Sequence, residues 1–236
     1  MRPEPNDPTQ SGPSLTGATE AIRLSRNEVA SLCAKAARGA GMDWGLTEEA
    51  GFAIGWLHRH GVDGASALLA HLERVGAKSW HESFPTMAPG QWSPSGRGML
   101  CPVALGATLS DFCDLPESAL DAGLTVGPVS VPVILLPFLS EIAQRRRAGI
   151  EIIWNGGAAA LTGSGALSGD LDRLAALPEA VLILKHGMRT IPPADRPPMP
   201  ASSRVTLERL DQFAIKTTVP PSRRSRDDAG ADGDND

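Results

Sequence analysis

A side-chain amide and two glycines directly follow the apolar run IEIIW. They are Asn155, Gly156 and Gly157. If this run is a strand of a parallel sheet, the three residues lie at its carboxyl end, where open α/β sheets bind ligands. An amide can orient a ligand by hydrogen bonding, and glycines let a ligand approach the backbone closely. We therefore assign all three as ligand-binding candidates.

Three side chains that can carry positive charge accompany a second apolar run, AVLILKH. Lys185 and Arg189 can pair with a carboxylate or a phosphate, and His186 can transfer a proton near neutral pH. Parallel strands would bring these groups beside Asn155. The predicted ligand is a small anionic molecule held by Lys185 and Arg189, with His186 as the candidate catalytic residue. The alternative is that all of these are turn residues with solvated charges.

The familiar cofactor and metal motifs are absent from the sequence. The glycines of GGAAALTGSGALSG depart from the dinucleotide-binding spacing, and neither GxxxxGKS nor HExxH occurs. On a helix, His58 and His60 would point about 200° apart and could not share a metal. Cys33, Cys101 and Cys113 form no CxxC pair, so neither a disulfide framework nor a zinc site is indicated. We predict no cofactor and no metal.

Charge and hydropathy argue against nucleic-acid-binding, membrane and secreted proteins. The 236 residues carry a formal net charge of −5, without the clustered basic residues that bind phosphate backbones. The longest apolar run, VPVILLPFL, is far shorter than the roughly 20 residues that cross a bilayer. The first residues lack the apolar segment of a secretory signal. We therefore expect a soluble cytoplasmic protein that binds neither nucleic acid nor a membrane.

The N-terminal elements that must support a site are helical. Residues 1–22 are rich in Pro, Gly, Ser and Thr and are expected to be disordered. Ser25 and Glu28 have the spacing of a capping box, and apolar residues then recur at helical spacing in three successive segments. We predict a helical layer over residues 23–76, opening a single globular domain over residues 23–220.

The rest of that domain divides into two parts. Residues 77–123 show little periodicity and are predicted to be rich in loops, with unrecognised short strands as the alternative. Residues 124–220 alternate apolar runs with helical segments, as βαβ units do. The fold class is therefore α/β, with mixed α+β as the alternative. Parallel pairing is preferred over an antiparallel meander because the connections exceed a dozen residues. An acidic tail, 221–236, is expected to be flexible.

Segments near both ends of the chain resemble those of a known protein family. KAARGAG at 35–41, WGLTEEAG at 44–51 and TTVP at 217–220, with the final DND, resemble an uncharacterised bacterial domain family of unknown function. That family supplies no activity and no catalytic residue. RHGVDGASALLAHL also resembles, loosely, the helical region before an SHG segment in lactate/malate dehydrogenase-like reductases. Arg59 replaces that serine, so the proton-donating role is not transferred to His60.

These observations lead to two hypotheses. The first is a small-molecule-binding or accessory protein associated with small-metabolite metabolism. It is favoured because the sequence pattern predicts a fold but contains no complete catalytic motif. The second is an enzyme that acts on a small carboxylate-containing substrate by acid/base chemistry. The partner expected from the residues is an anionic small molecule, and a protein partner is the other candidate.

Overall fold

Three helices form the first layer of the structure. The computed structural model describes residues 21–75, 80–115, 120–187 and 199–217. Its first elements are β1 (Ala21–Ile22), α1 (Arg26–Gly39), α2 (Trp44–Arg59) and α3 (Gly64–Val75). The three helices occur where the apolar spacing predicts them. The capping box is also present, since Ser25 Oγ accepts from the Glu28 N–H at 3.3 Å and Glu28 Oε2 accepts from the Ser25 N–H at 2.8 Å.

The segment predicted to be rich in loops contains regular structure instead. It holds β2 (Pro85–Ala88), β3 (Gln91–Pro94) and α4 (Pro102–Phe112). The two strands are four residues each, too short for a clear alternation. α4 escaped prediction because its first five residues are all buried, which leaves no polar face to reveal a helical period. The expectation of loops was therefore wrong, and its alternative of unrecognised strands is confirmed.

The remaining elements combine helices and strands. They are β4 (Leu124–Ser130), α5 (Leu136–Arg146), β5 (Ile150–Trp154), β6 (Gly157–Leu161), β7 (Leu167–Gly169), α6 (Leu171–Ala176), β8 (Glu179–His186), β9 (Ser202–Ser203) and α7 (Arg204–Ala214). The predicted mixed α/β class is confirmed. No helix among the described residues is long and apolar enough to cross a membrane.

One seven-stranded sheet contains most of the strands, in the order β2-β3-β4-β8-β5-β6-β7. Within it only β3 and β4 are parallel, and every other pair is antiparallel. The preference for parallel βαβ pairing was therefore wrong. β4 and β5 do run in the same direction, joined through α5, but β8 lies between them and is antiparallel to both.

The connection from β5 to β8 explains this difference. It exceeds a dozen residues, as a crossover requires. It contains β6, β7 and α6, however, and so reverses the chain before β8 begins. Length alone does not distinguish a crossover helix from a hairpin followed by a short helix.

One face of the sheet packs against the helices. Along β8, Leu182 and Leu184 are fully buried, whereas Val181 and Ile183 are 51% and 43% exposed. This alternation is the period of two expected for a strand with one covered face. On the covered side, the buried ring of Phe138 in α5 lies directly against Gly106 in α4.

The chain ends are described only in part. Of the predicted disordered segment 1–22, Ala21 and Ile22 form a strand that pairs antiparallel with Ser203 and Ser202, which corrects that boundary. Residues 1–20 and the predicted tail 221–236 lie outside the described residues.

We expect Gly106→Ala to destabilise the fold. A Cβ there would lie 2.2 Å from Cδ2 of Phe138, which is 1% exposed. Overpacking of this kind costs about 1–3 kcal/mol, against at most about 1 kcal/mol gained from the helix propensity of alanine. Urea denaturation should therefore show a lower free energy of unfolding by about 1–2 kcal/mol.

Gly45→Ala is the matched control. It lies in α2, and a Cβ there meets nothing within 4 Å. Its free energy of unfolding should stay unchanged or rise slightly. Equal effects of the two substitutions would contradict the close packing of α4 on Phe138.

Candidate functional site

The two halves of the predicted site do not meet. β5 and β8 are antiparallel, with Glu151 opposite Lys185. Asn155 is four residues beyond Glu151, so it lies about 13 Å further along the strand pair at 3.3 Å per residue. Because the two strands are antiparallel, their carboxyl ends lie at opposite ends of the strand pair. The expected convergence of Asn155 with Lys185 and His186 is therefore wrong.

The NGG segment forms a tight turn. Asn155 and Gly156 are the two residues between β5 and β6, and Trp154 pairs with Gly157 across them. Gly156 has φ +90°, a conformation that favours glycine. Its carbonyl accepts a hydrogen bond from Arg173. An Asn-Gly pair between apolar runs is a strong hairpin signal, and it could have predicted this turn.

Lys185 and His186, at the end of β8, have partners of their own. Lys185 Nζ lies 3.3 Å from Glu151 Oε2. The ring of His186 lies 3.3 Å from the Gly149 carbonyl through Nδ1 and 3.8 Å from Asp121 Oδ1 through Nε2. Arg189 lies outside the described residues. A ligand contact by any one of these residues stays a prediction.

A different cluster of polar side chains is buried between the helical layer and the sheet. His71 Nε2 is 3.4 Å from Cys101 Sγ, and His71 Nδ1 is 3.0 Å from Ser130 Oγ. We call these three residues the Cys–His–Ser trio. None of them is more than 1% exposed. His71 lies in α3, Cys101 directly precedes α4, and Ser130 is the last residue of β4.

Backbone hydrogen bonds hold the trio in place. The Ser130 N–H donates to the Leu100 carbonyl at 3.0 Å, and the Leu100 N–H donates to the Pro128 carbonyl at 2.7 Å. The Cys101 N–H donates to the Ser83 carbonyl at 2.9 Å. Cys101 is thus fixed beside the end of β4, at the start of α4, while His71 reaches it from the buried face of α3.

Burial keeps the trio uncharged. Removal from water, together with the smaller effect of the nearby Arg74 guanidinium, lowers the pKa of His71 to about 3. Burial likewise raises the pKa of the Cys101 thiol to about 11, although the backbone N–H groups at the start of α4 oppose this. At neutral pH the imidazole is therefore neutral and the thiol is protonated.

A cleft of about 40 Å³ lies beside one member of the trio, Ser130. We call it the Arg97 cleft; the residues that line it include Arg74, Glu82, Ser83, Arg97, Met99 and Ser130. Ser130 thus belongs to both the cleft wall and the trio. Arg74 Nη2 donates to Glu179 Oε2 at 2.8 Å, whereas Arg97 has no ion pair within the described ranges.

A second groove lies between α1 and α2. It measures about 310 Å³ and is lined by Arg26, Phe52, Trp56 and Arg59, among others. The Trp56 ring stacks on His60 at a centroid distance of 3.7 Å. No residue of the trio lines this groove. The groove has a larger volume than the Arg97 cleft, but it has no buried hydrogen-bonding side chain in its wall.

Sequence reasoning missed His71 and Ser130. One signal was available, because His71 follows Leu68 by three residues and precedes Val75 by four, which places it on the apolar face of α3. A polar residue on such a face requires a buried partner. That the partners are Cys101 and Ser130, 30 and 59 residues away, follows only from the tertiary structure.

Comparison with known proteins bears on the first part of the chain. Residues 24–119 match the model of a family described as "Protein of unknown function (DUF3726)". The resemblance to an uncharacterised domain family is therefore confirmed, and the matched range includes the segments at 35–41 and 44–51. It does not include the closing segment from 217 onward. No curated protein matches the chain.

We expect the buried His71 to make the protein sensitive to acid. The unfolded chain binds a proton at His71 below about pH 6.5, whereas the folded chain resists it down to about pH 3. Stability is therefore lost as the pH falls through this window. Between pH 7 and pH 4.5 the loss from this group should be about 2–3 kcal/mol.

His71→Gln provides the comparison. It removes the titrating group, so its free energy of unfolding in urea should change less between pH 7 and pH 4.5 than that of the wild type. Other acidic groups affect both proteins alike, and the difference between the two slopes isolates His71. Identical slopes would contradict a neutral buried imidazole.

Proposed function

We propose that this protein binds a small molecule through a carboxylate or a similar anionic group in the Arg97 cleft. The observation that carries the proposal is that Ser130, the end of the buried trio, lines the same cleft as Arg74 and Arg97. A hydroxyl backed by a fixed hydrogen-bonding chain and two guanidinium groups are donors that suit carboxylate oxygens.

The two arginines have different roles in this proposal. Arg74 is oriented by Glu179 and has a side chain that is 34% exposed, so part of its charge is already balanced. Arg97 is exposed and has no hydrogen bond or ion pair to another described residue. We therefore assign the main charge contact with the ligand to Arg97.

Size and charge restrict the ligand. A volume of about 40 Å³ accommodates a group of a few atoms, such as a carboxylate, with the rest of the molecule outside the cleft. Glu82 also lines the cleft, and its carboxylate would repel a ligand of high negative charge. A singly charged carboxylate fits these conditions better than a nucleotide does.

An enzyme that uses acid/base chemistry on a small carboxylate is the second candidate. The contact between His71 and Cys101 favours it, because a histidine beside a thiol is a common catalytic pair. The low pKa of His71 argues against it, since a base with a pKa of about 3 takes up little proton at neutral pH. The geometry therefore supports binding better than catalysis.

We expect Arg97→Gln to weaken anion binding. Titration of the ¹⁵N-labelled protein with sodium acetate, against sodium chloride at equal ionic strength, should shift the amide signals of Gly98, Met99 and Ser130. Loss of one charge-assisted contact at an exposed rim should raise the dissociation constant about threefold to tenfold.

Arg59→Gln is the matched control, because Arg59 is also exposed but lines the groove between α1 and α2. It should bind acetate as the wild type does. Acetate-induced shifts at Phe52 and Trp56 that disappear in Arg59→Gln would place the anion in that groove and overturn the proposal.

A further inference from the structure

The Cys–His–Ser trio has more polar hydrogens than internal contacts. At neutral pH the thiol, the neutral imidazole and the hydroxyl each carry one polar hydrogen. The trio has only two contacts, Cys101 to His71 and His71 to Ser130. At least one hydrogen must therefore be left over, and the tautomer of His71 determines which one.

If Nε2 carried the imidazole hydrogen, the arrangement would be poor. The N–H would point at a thiol sulfur, which is a weak acceptor. The Cys101 S–H would then be left over, and among the described residues Sγ contacts no acceptor other than His71. Because Cys101 is fully buried, that hydrogen could not reach water either.

If Nδ1 carries the hydrogen, each group has a suitable partner. The Cys101 S–H donates to Nε2, and Nδ1–H donates to Ser130 Oγ, a much better acceptor than sulfur. The hydrogen left over is that of Ser130, the member of the trio that lines the cleft.

We infer that Nδ1 of His71 carries the imidazole hydrogen and that Ser130 donates its hydroxyl hydrogen into the Arg97 cleft, so that the ligand must present an acceptor oxygen there. This inference rests on the proposed function and makes it more specific. A carboxylate satisfies both Ser130 and Arg97, whereas an ammonium group offers Ser130 only further hydrogens. The buried trio thus selects acceptors over donors without itself contacting the ligand beyond Ser130.

The tautomer can be measured directly. Long-range ¹H–¹⁵N correlation spectra of the full-length protein distinguish a protonated from an unprotonated imidazole nitrogen, and His71→Gln assigns the signals. We expect a protonated Nδ1 in the wild type and in Cys101→Ser, whose hydroxyl can still donate to Nε2. In Cys101→Ala this donor is lost, and the Nε2-protonated form should gain population. A protonated Nε2 in the wild type overturns the inference.

Binding provides the second test. We expect Ser130→Ala to raise the dissociation constant for acetate roughly tenfold, since a hydrogen bond to a charged group is lost. Ser140→Ala removes another fully buried serine, in α5 and away from the cleft, and should leave acetate binding unchanged. Equal acetate affinities in Ser130→Ala and the wild type overturn the inference, as does methylammonium binding that depends on Ser130.

The two proposals can fail separately. If acetate produces no shift at the cleft in the wild type, the proposed function and the demand for an acceptor oxygen both fail. If acetate binds at the cleft and Arg97→Gln weakens it, but His71 is protonated on Nε2, only the inference about Ser130 fails.

Discussion

The insertion of β8 between β4 and β5 is the constraint on which the rest of the structure depends. β4 and β5 point in the same direction but are one strand apart, and β8 supplies hydrogen bonds to both. Their covered-face residues are buried, so water could not replace those bonds. The insertion also determines which side chains can meet. It keeps Lys185 opposite Glu151 and separates it from Asn155 by several residues along the sheet.

The Cys–His–Ser trio connects the helical layer to this sheet. His71 comes from α3, Cys101 precedes α4 and Ser130 ends β4, so the two contacts among them span both layers of the fold. A polar group in an apolar interior is costly unless it is hydrogen-bonded, and a satisfied buried network favours one arrangement of the surrounding elements. The trio is therefore part of the packing of the molecule and, through Ser130, part of the wall of its cleft.

Burial decides what this chemistry can do. Reactive cysteines occur in partly exposed, electropositive surroundings that lower the thiol pKa, whereas the pKa of Cys101 is raised to about 11. The pKa of His71 is lowered to about 3, so the pair does not exchange its charge near neutral pH. A neutral chain of this kind orients hydrogen bonds. This favours ligand selection at the cleft over proton transfer, and the mixed α/β fold does not by itself argue for either function.

Local patterns in the sequence determined the helices α1 to α3, the capping box at Ser25 and the strands β5 and β8, because apolar spacing and capping residues act over a few positions. They did not determine α4, which is too thoroughly buried to show a period. The order of the strands and the meeting of His71 with Cys101 and Ser130 were decided only by the tertiary structure. The physical reason is that pairing direction depends on how the chain between two strands packs, and a buried polar side chain shows in the sequence only that it needs a partner, not which partner it has.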